Sequence, residues 1–120
     1  MAEIGIVEQF RATHGSNPHE HDFKAEIVVE GRIGFESGYV EGVDHKDLIS
    51  DLKDIISDIA DKDLKEILGK EGYKSSGNES IASFFAQKLK NKYPLKFVRI
   101  WETDERYATV YKDEFNNPSF

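Results

Sequence analysis

The sequence predicts an α+β domain in which an antiparallel four-stranded sheet carries two helices on one face, in the order β-β-α-α-β-β. Three features predict it. The opening stretch alternates apolar and polar residues with period two, the middle repeats its apolar residues at three and four, and the last third returns to alternation in two short runs. At 120 residues, with 38% hydrophobic and 12% aromatic content, the chain can bury a core without staples and reads as a single domain over 1–120.

From Ile4, one face of the first strand reads Ile4, Ile6, Glu8, Phe10, Ala12, His14. Gly15-Ser16-Asn17-Pro18 is a short turn-forming run, which folds the next strand back antiparallel. That strand places His19, His21, Phe23, Ala25, Ile27 and Val29 on one side and Glu20, Asp22, Lys24, Glu26 and Glu30 on the other, the pattern of a half-buried strand. Gly31, Gly34, Gly38 and Gly42 punctuate a stretch around Phe35 to Val43 that reads as an irregular strand with a bulge.

The period then lengthens. Leu48, Ile49, Leu52, Ile55, Ile56 and Ile59 form one face of an amphipathic helix, opposite Asp47, Asp51, Asp54 and Asp58, with Asp44 as N-cap. A polar stretch around Gly69 to Gly72 follows. Ser76-Gly77-Asn78-Glu79 matches the S-x-x-E capping box and opens a second helix with Ile81, Ala82, Phe85 and Leu89 as its buried stripe. Tyr93-Pro94 closes that helix. Strands Leu95–Glu102 and Arg106–Tyr111 are joined by a turn at Thr103 to Glu105, and the tail from about residue 114 to 120 reads as frayed.

Three of the four histidines lie within eight residues, as His14-Gly15-Ser16-Asn17-Pro18-His19-Glu20-His21. Period-two geometry puts His19 and His21 on one side, and the turn brings His14 beside them. A facial set of three imidazoles is the ligand count of a catalytic zinc that keeps one position open, although iron(II) or copper suits the same donors. A histidine-rich polar hairpin without a metal is the alternative on these residues alone.

Charge and composition exclude several classes. Sixteen basic against twenty-three acidic residues give a net charge of −7 with no basic stripe, which argues against a nucleic-acid partner. There is no cysteine, hence no disulfide, thiolate ligand or cysteine nucleophile. No segment reaches transmembrane length and no signal-like start is present, so a cytoplasmic protein without a membrane partner is expected.

Five pieces together resemble the 6-pyruvoyl-tetrahydropterin synthase and 6-carboxy-tetrahydropterin synthase family. Phe10-Arg11-Ala12-Thr13-His14 looks like its strand ending in the first zinc histidine, and His19-Glu20-His21 like its H-G-H with glutamate for glycine. Gly38-Tyr39-Val40 with Val43-Asp44-His45-Lys46-Asp47-Leu48 resembles the entry to its first helix, lengthened by an insertion. Gly77-Asn78-Glu79-Ser80-Ile81-Ala82 resembles the start of its second helix, and Ile100-Trp101-Glu102-Thr103 the strand whose glutamate anchors the pterin.

The resemblance implies the tunnelling or T-fold, hexamers built from two trimers, and zinc held by His14, His19 and His21. It implies a zinc-dependent lyase acting on 7,8-dihydroneopterin triphosphate or a related pterin, in folate, biopterin or deazapurine (queuosine) chemistry. Glu102 would bind the pterin, and Asp61 with Lys62 would stand where the family's Asp-His proton relay stands. The chain departs from the pattern there, because Lys62 replaces the histidine. Gly15 and Ser16 replace the family's cysteine base, and the loop from His14 to His19 is much shorter. A T-fold pterin- or purine-binding module without turnover is the second reading.

Overall fold

A computed structural model describes residues 1–115. Strand β1 (Ala2–His14) and strand β2 (His19–Gly31) form a long hairpin whose register runs without a break from Ala2 opposite Gly31 to His14 opposite His19. Strands β3 (Leu95–Thr103) and β4 (Arg106–Tyr111) complete one antiparallel sheet in the order β1-β2-β3-β4. The β2–β3 register slips by one residue between Val28 and Val29, which pair with Phe97 and Leu95.

Helices α1 (His45–Ile59) and α3 (Asn78–Leu89) pack on one face, with a short helix α2 (Leu64–Lys70) between them in the chain. Alternation decides which side of the sheet they cover. Phe10, Ala12, Phe23, Ala25, Ile27, Val29, Val98, Ile100 and Val110 are all buried under Leu48, Leu52, Ile59, Leu64, Leu68, Ile81, Phe85 and Leu89. Phe10 stacks on Phe23 at 5.2 Å and meets Phe85 at 5.7 Å, which ties the hairpin to α3. Each such ring is worth about 1.5–3 kcal/mol of burial.

Asp44 caps α1 as the sequence predicts, its side chain accepting from Lys46 N–H at 2.9 Å. Three expectations need correction. The stretch Phe35 to Val43 is no strand: it contributes only an isolated bridge between Ile33 and Val40, because Gly38 and Gly42 adopt φ of +74° and +76° and reverse the chain. The polar stretch after α1 contains α2, capped by Asp63 and pinned by Leu64 and Leu68, a single i, i+4 pair too brief to show as a periodic run. Ser76 does not cap α3: the N-cap is Gly77 with no side-chain bond, and the Ser76 hydroxyl accepts instead from Gly15 N–H at 2.8 Å.

Phe115 is buried in the core behind the short turn Lys112–Glu114. The tail expected to fray from about residue 114 is therefore ordered at Glu114 and Phe115, and its remainder, 116–120, lies outside the described residues. Among the described residues, no helix is long and apolar enough to cross a membrane.

Candidate metal centre

The histidines continue the apolar faces of β1 and β2 at the hairpin end of the sheet. His14 is buried, His21 half-buried and His19 exposed, so the cluster grades from core to solvent. Their ring centroids lie 4.6 Å (His14–His19), 5.3 Å (His14–His21) and 4.7 Å (His19–His21) apart. The edge of Phe23 closes the inner side, with its centroid 5.1 Å from that of His14. Gly15 makes the tight hairpin possible: its φ is +93°, and a Cβ there would stand 3.1 Å from His19 Cε1.

Backbone carbonyls fix two of the rings. His14 Nδ1 lies 2.7 Å from the Ser76 carbonyl oxygen, and His19 Nδ1 lies 2.9 Å from that of Asn17. A carbonyl can only accept, so each of these Nδ1 atoms carries a hydrogen and Nε2 is the ring nitrogen turned towards the cluster. This outer hydrogen bond is what orients ligating imidazoles.

Glu102 joins them from β3. Its Oε1 lies 2.9 Å from His14 Nε2, 3.2 Å from His21 Nε2 and 3.8 Å from His19 Nε2. One donor atom from each of the four residues falls within 4.8 Å of every other. Atoms sharing a tetrahedral cation at about 2.1 Å stand about 3.4 Å apart, so the observed separations suit a shared cation. The donor chemistry suits one: unprotonated ring nitrogens and a carboxylate facing a common point repel, and a proton or a metal among them relieves that repulsion. The three histidines, with Glu102 beside them, therefore fit a divalent transition metal.

Charge shifts reflect this crowding. Burial holds the His21 imidazole below its ordinary value against the pull of Glu102, with His19, His14 and Arg106 adding to the lowering. Burial also pushes the Glu102 carboxyl up, but the His14 hydrogen bond and the charges of His21 and Arg106 outweigh it, and the carboxyl ends below its ordinary value. Arg106, across the β3–β4 turn, holds the other oxygen, with Nε 2.9 Å from Oε2.

Asp61 and Lys62 lie beside the hairpin but outside this group of four. Asp61 N–H donates to the Arg11 carbonyl at 2.6 Å, and the Lys62 carbonyl accepts from Thr13 N–H at 3.0 Å, one residue before His14. Both side chains are exposed, and Asp61 adopts φ of +62° to make the turn. Glu20 faces away from the histidines and pairs with Arg11 at 2.5 Å. His45, in the first turn of α1, is half-buried, with the ring of Tyr39 from the preceding loop 5.4 Å from its own.

Sequence reasoning missed two members. Ser76 supplies the carbonyl behind His14, a backbone role that no side-chain motif signals. Arg106 follows Glu102 by four residues across a tight turn, and that spacing in a hairpin was a usable signal.

The family model described as 6-pyruvoyl tetrahydropterin synthase matches residues 6–113. The chain belongs to the 6-pyruvoyl tetrahydropterin synthase family. Its fold is similar to that of the Caenorhabditis elegans 6-pyruvoyl tetrahydropterin synthase, at 20% identity and a TM-score of 0.80 over 92% of this chain and 94% of that one. It is also similar to a catalytic-residue mutant of the Plasmodium vivax enzyme (14% identity, TM-score 0.67) and to the Plasmodium falciparum enzyme (15%, TM-score 0.64). Each of those alignments covers 92% of this chain and 97% of the other. No curated protein matches the chain. Family and T-fold together support a pterin-synthase-like enzyme.

Proposed function

We propose that the chain is a zinc-dependent lyase of the pterin-synthase type, acting on 7,8-dihydroneopterin triphosphate or a closely related reduced pterin. The observation that carries this reading is the convergence of three imidazole nitrogens, two of them with their Nδ1 atoms tied to backbone carbonyls. His14, His19 and His21 hold the zinc. The bound ion supplies Lewis acidity to the hydroxyl and carbonyl oxygens of the substrate side chain.

Glu102 binds the pterin. Its carboxylate, nearly buried and kept ionised by its neighbours, accepts hydrogen bonds from the ring's N–H and amino edge, a flat guanidine-like group. Asp61 and Lys62, which stand where the family's proton relay stands, relay the proton in this reading; the turn that carries them is bonded to the end of β1, with both side chains exposed. The Plasmodium vivax relative has a glutamate described as a catalytic residue. Here Glu20 is tied to Arg11 on the far face, which keeps it out of the acid–base set. Assembly into hexamers from two trimers and a cytoplasmic location belong to the same reading.

Absence of any cysteine favours a second reading, a pterin-binding module without turnover. Two measurements separate them. Purified without a histidine tag, the chain should carry about one zinc per chain by elemental analysis, and His21→Ala should lose it. Incubated with 7,8-dihydroneopterin triphosphate, the zinc-loaded chain should release triphosphate. Metal without triphosphate release selects the binding module, and a metal-free, metal-refusing chain rejects both.

A further inference from the structure

Both oxygens of Glu102 have protein partners. Oε1 faces the three histidines, and Oε2 is held by Arg106 Nε at 2.9 Å. The carboxylate side chain is only 7% exposed while that of Arg106 is 69% exposed, so Oε2 meets solvent through the arginine that covers it. Arg106 is the first residue of β4, which fixes its backbone opposite Thr103 at the hairpin end of the sheet.

The chemistry of that contact matters. A pterin offers Glu102 a ring N–H and an amino group on one carbon, the N–C–N donor pattern of guanidine. Arginine's guanidinium carries the same planar donors to the same kind of acceptor. We propose that Arg106 occupies the place of the pterin's guanidine-like edge, so that a pterin binds by displacing this side chain, and Arg106 sets the affinity of the site. This rests on the reading of Glu102 as the pterin anchor. The contact suits a competitor that must yield: it is exposed on the arginine side, screened by water and salt, and spans a flexible side chain.

Neopterin, which keeps the guanidine-like edge, is the probe, titrated by fluorescence into the zinc-loaded full chain. Arg106→Ala should bind neopterin about two- to fivefold more tightly than the parent, the gain expected from freeing a carboxylate of an ion pair open to solvent on its arginine side. Added guanidinium at non-denaturing concentration should weaken neopterin binding to Arg106→Ala back towards the parent's, while sodium chloride at equal ionic strength should not. Equal or weaker binding by Arg106→Ala overturns the proposal, and so does an equal effect of the two salts. Glu102→Gln should lose neopterin while keeping its zinc. If Glu102→Gln binds neopterin as the parent does, or if no chain binds it, the anchor reading itself fails and takes the proposal with it.

Discussion

Gly15 shows how much of the centre depends on one small residue. Alanine there would bear a left-handed backbone at φ +93° and press its Cβ to 3.1 Å from His19 Cε1. The backbone strain alone costs about 1–2 kcal/mol. Gly15→Ala should therefore lower the thermal midpoint by several degrees and weaken zinc binding as His19 is pushed aside, both readable by calorimetry with and without metal. The pH response follows from His21. Burial holds its imidazole below the ordinary 6.5, so between its folded value and 6.5 the unfolded chain binds more protons. Stability of the metal-free chain contributed by this group is thus present above 6.5 and lost as pH falls through that window. Glu102 extends the loss downward: its carboxyl lies below the ordinary 4.5, so its stabilising ionised form persists above 4.5 and is lost as pH falls through its folded value. Thermal midpoints of the metal-free chain from pH 8 to pH 4 should decline in that order, and a flat profile would refute it.

The elements most legible in the sequence were those whose period persisted. Thirteen-residue strands β1 and β2 alternate along most of their length, broken at Glu8 and Val28, and Gly15 to Pro18 reads as a turn, so the histidine register followed without knowledge of the rest of the fold. Helix α1 was equally plain because four aspartates and six aliphatic residues sorted onto opposite faces. What escaped were short or backbone-driven features. Helix α2 shows two buried leucines in seven residues, and the glycine-rich loop after β2 mimics a strand in composition while two positive φ values fold it back. Pairing of β2 with β3 is a long-range choice, so the meeting of Glu102 with the histidines was illegible although each residue could be named. Ser76 belongs here too: its S-x-x-E context points to a helix cap, yet tertiary structure uses the hydroxyl to hold the hairpin turn. Ser76→Ala removes the acceptor from Gly15 N–H but leaves the Ser76 carbonyl on His14 Nδ1. It should cost about 1 kcal/mol in chemical denaturation while zinc stoichiometry stays at that of the parent. Loss of zinc instead would show that the hydroxyl positions His14.

At the scale of the whole molecule the sheet presents two edges, β1 and β4, and the first is long. Its hairpin end is covered from within: the Arg11 carbonyl and Thr13 N–H point outward and are met by Asp61 and Lys62. Antiparallel geometry alternates the direction of backbone groups, and the β1–β2 register has no slip, so the outward set continues through Gln9, Val7 and Gly5. Nothing in the described chain bonds to those groups, and Val7 is 53% exposed. A long bare edge is a template for another strand, and in the proposed hexamer it would receive a strand of a neighbouring subunit. Proline tests this without dismantling the fold. At Val7 it removes an outward N–H and spares the ladder to β2, the placement edge strands tolerate. Val7→Pro should sediment as a smaller species than the parent while keeping a cooperative thermal transition. Glu8→Pro, one residue on, removes an N–H directed at β2 opposite Ala25 and should lower the thermal midpoint much further than Val7→Pro. If Val7→Pro keeps the parent's sedimentation coefficient, or if the parent is a monomer, subunits do not join through the open part of β1.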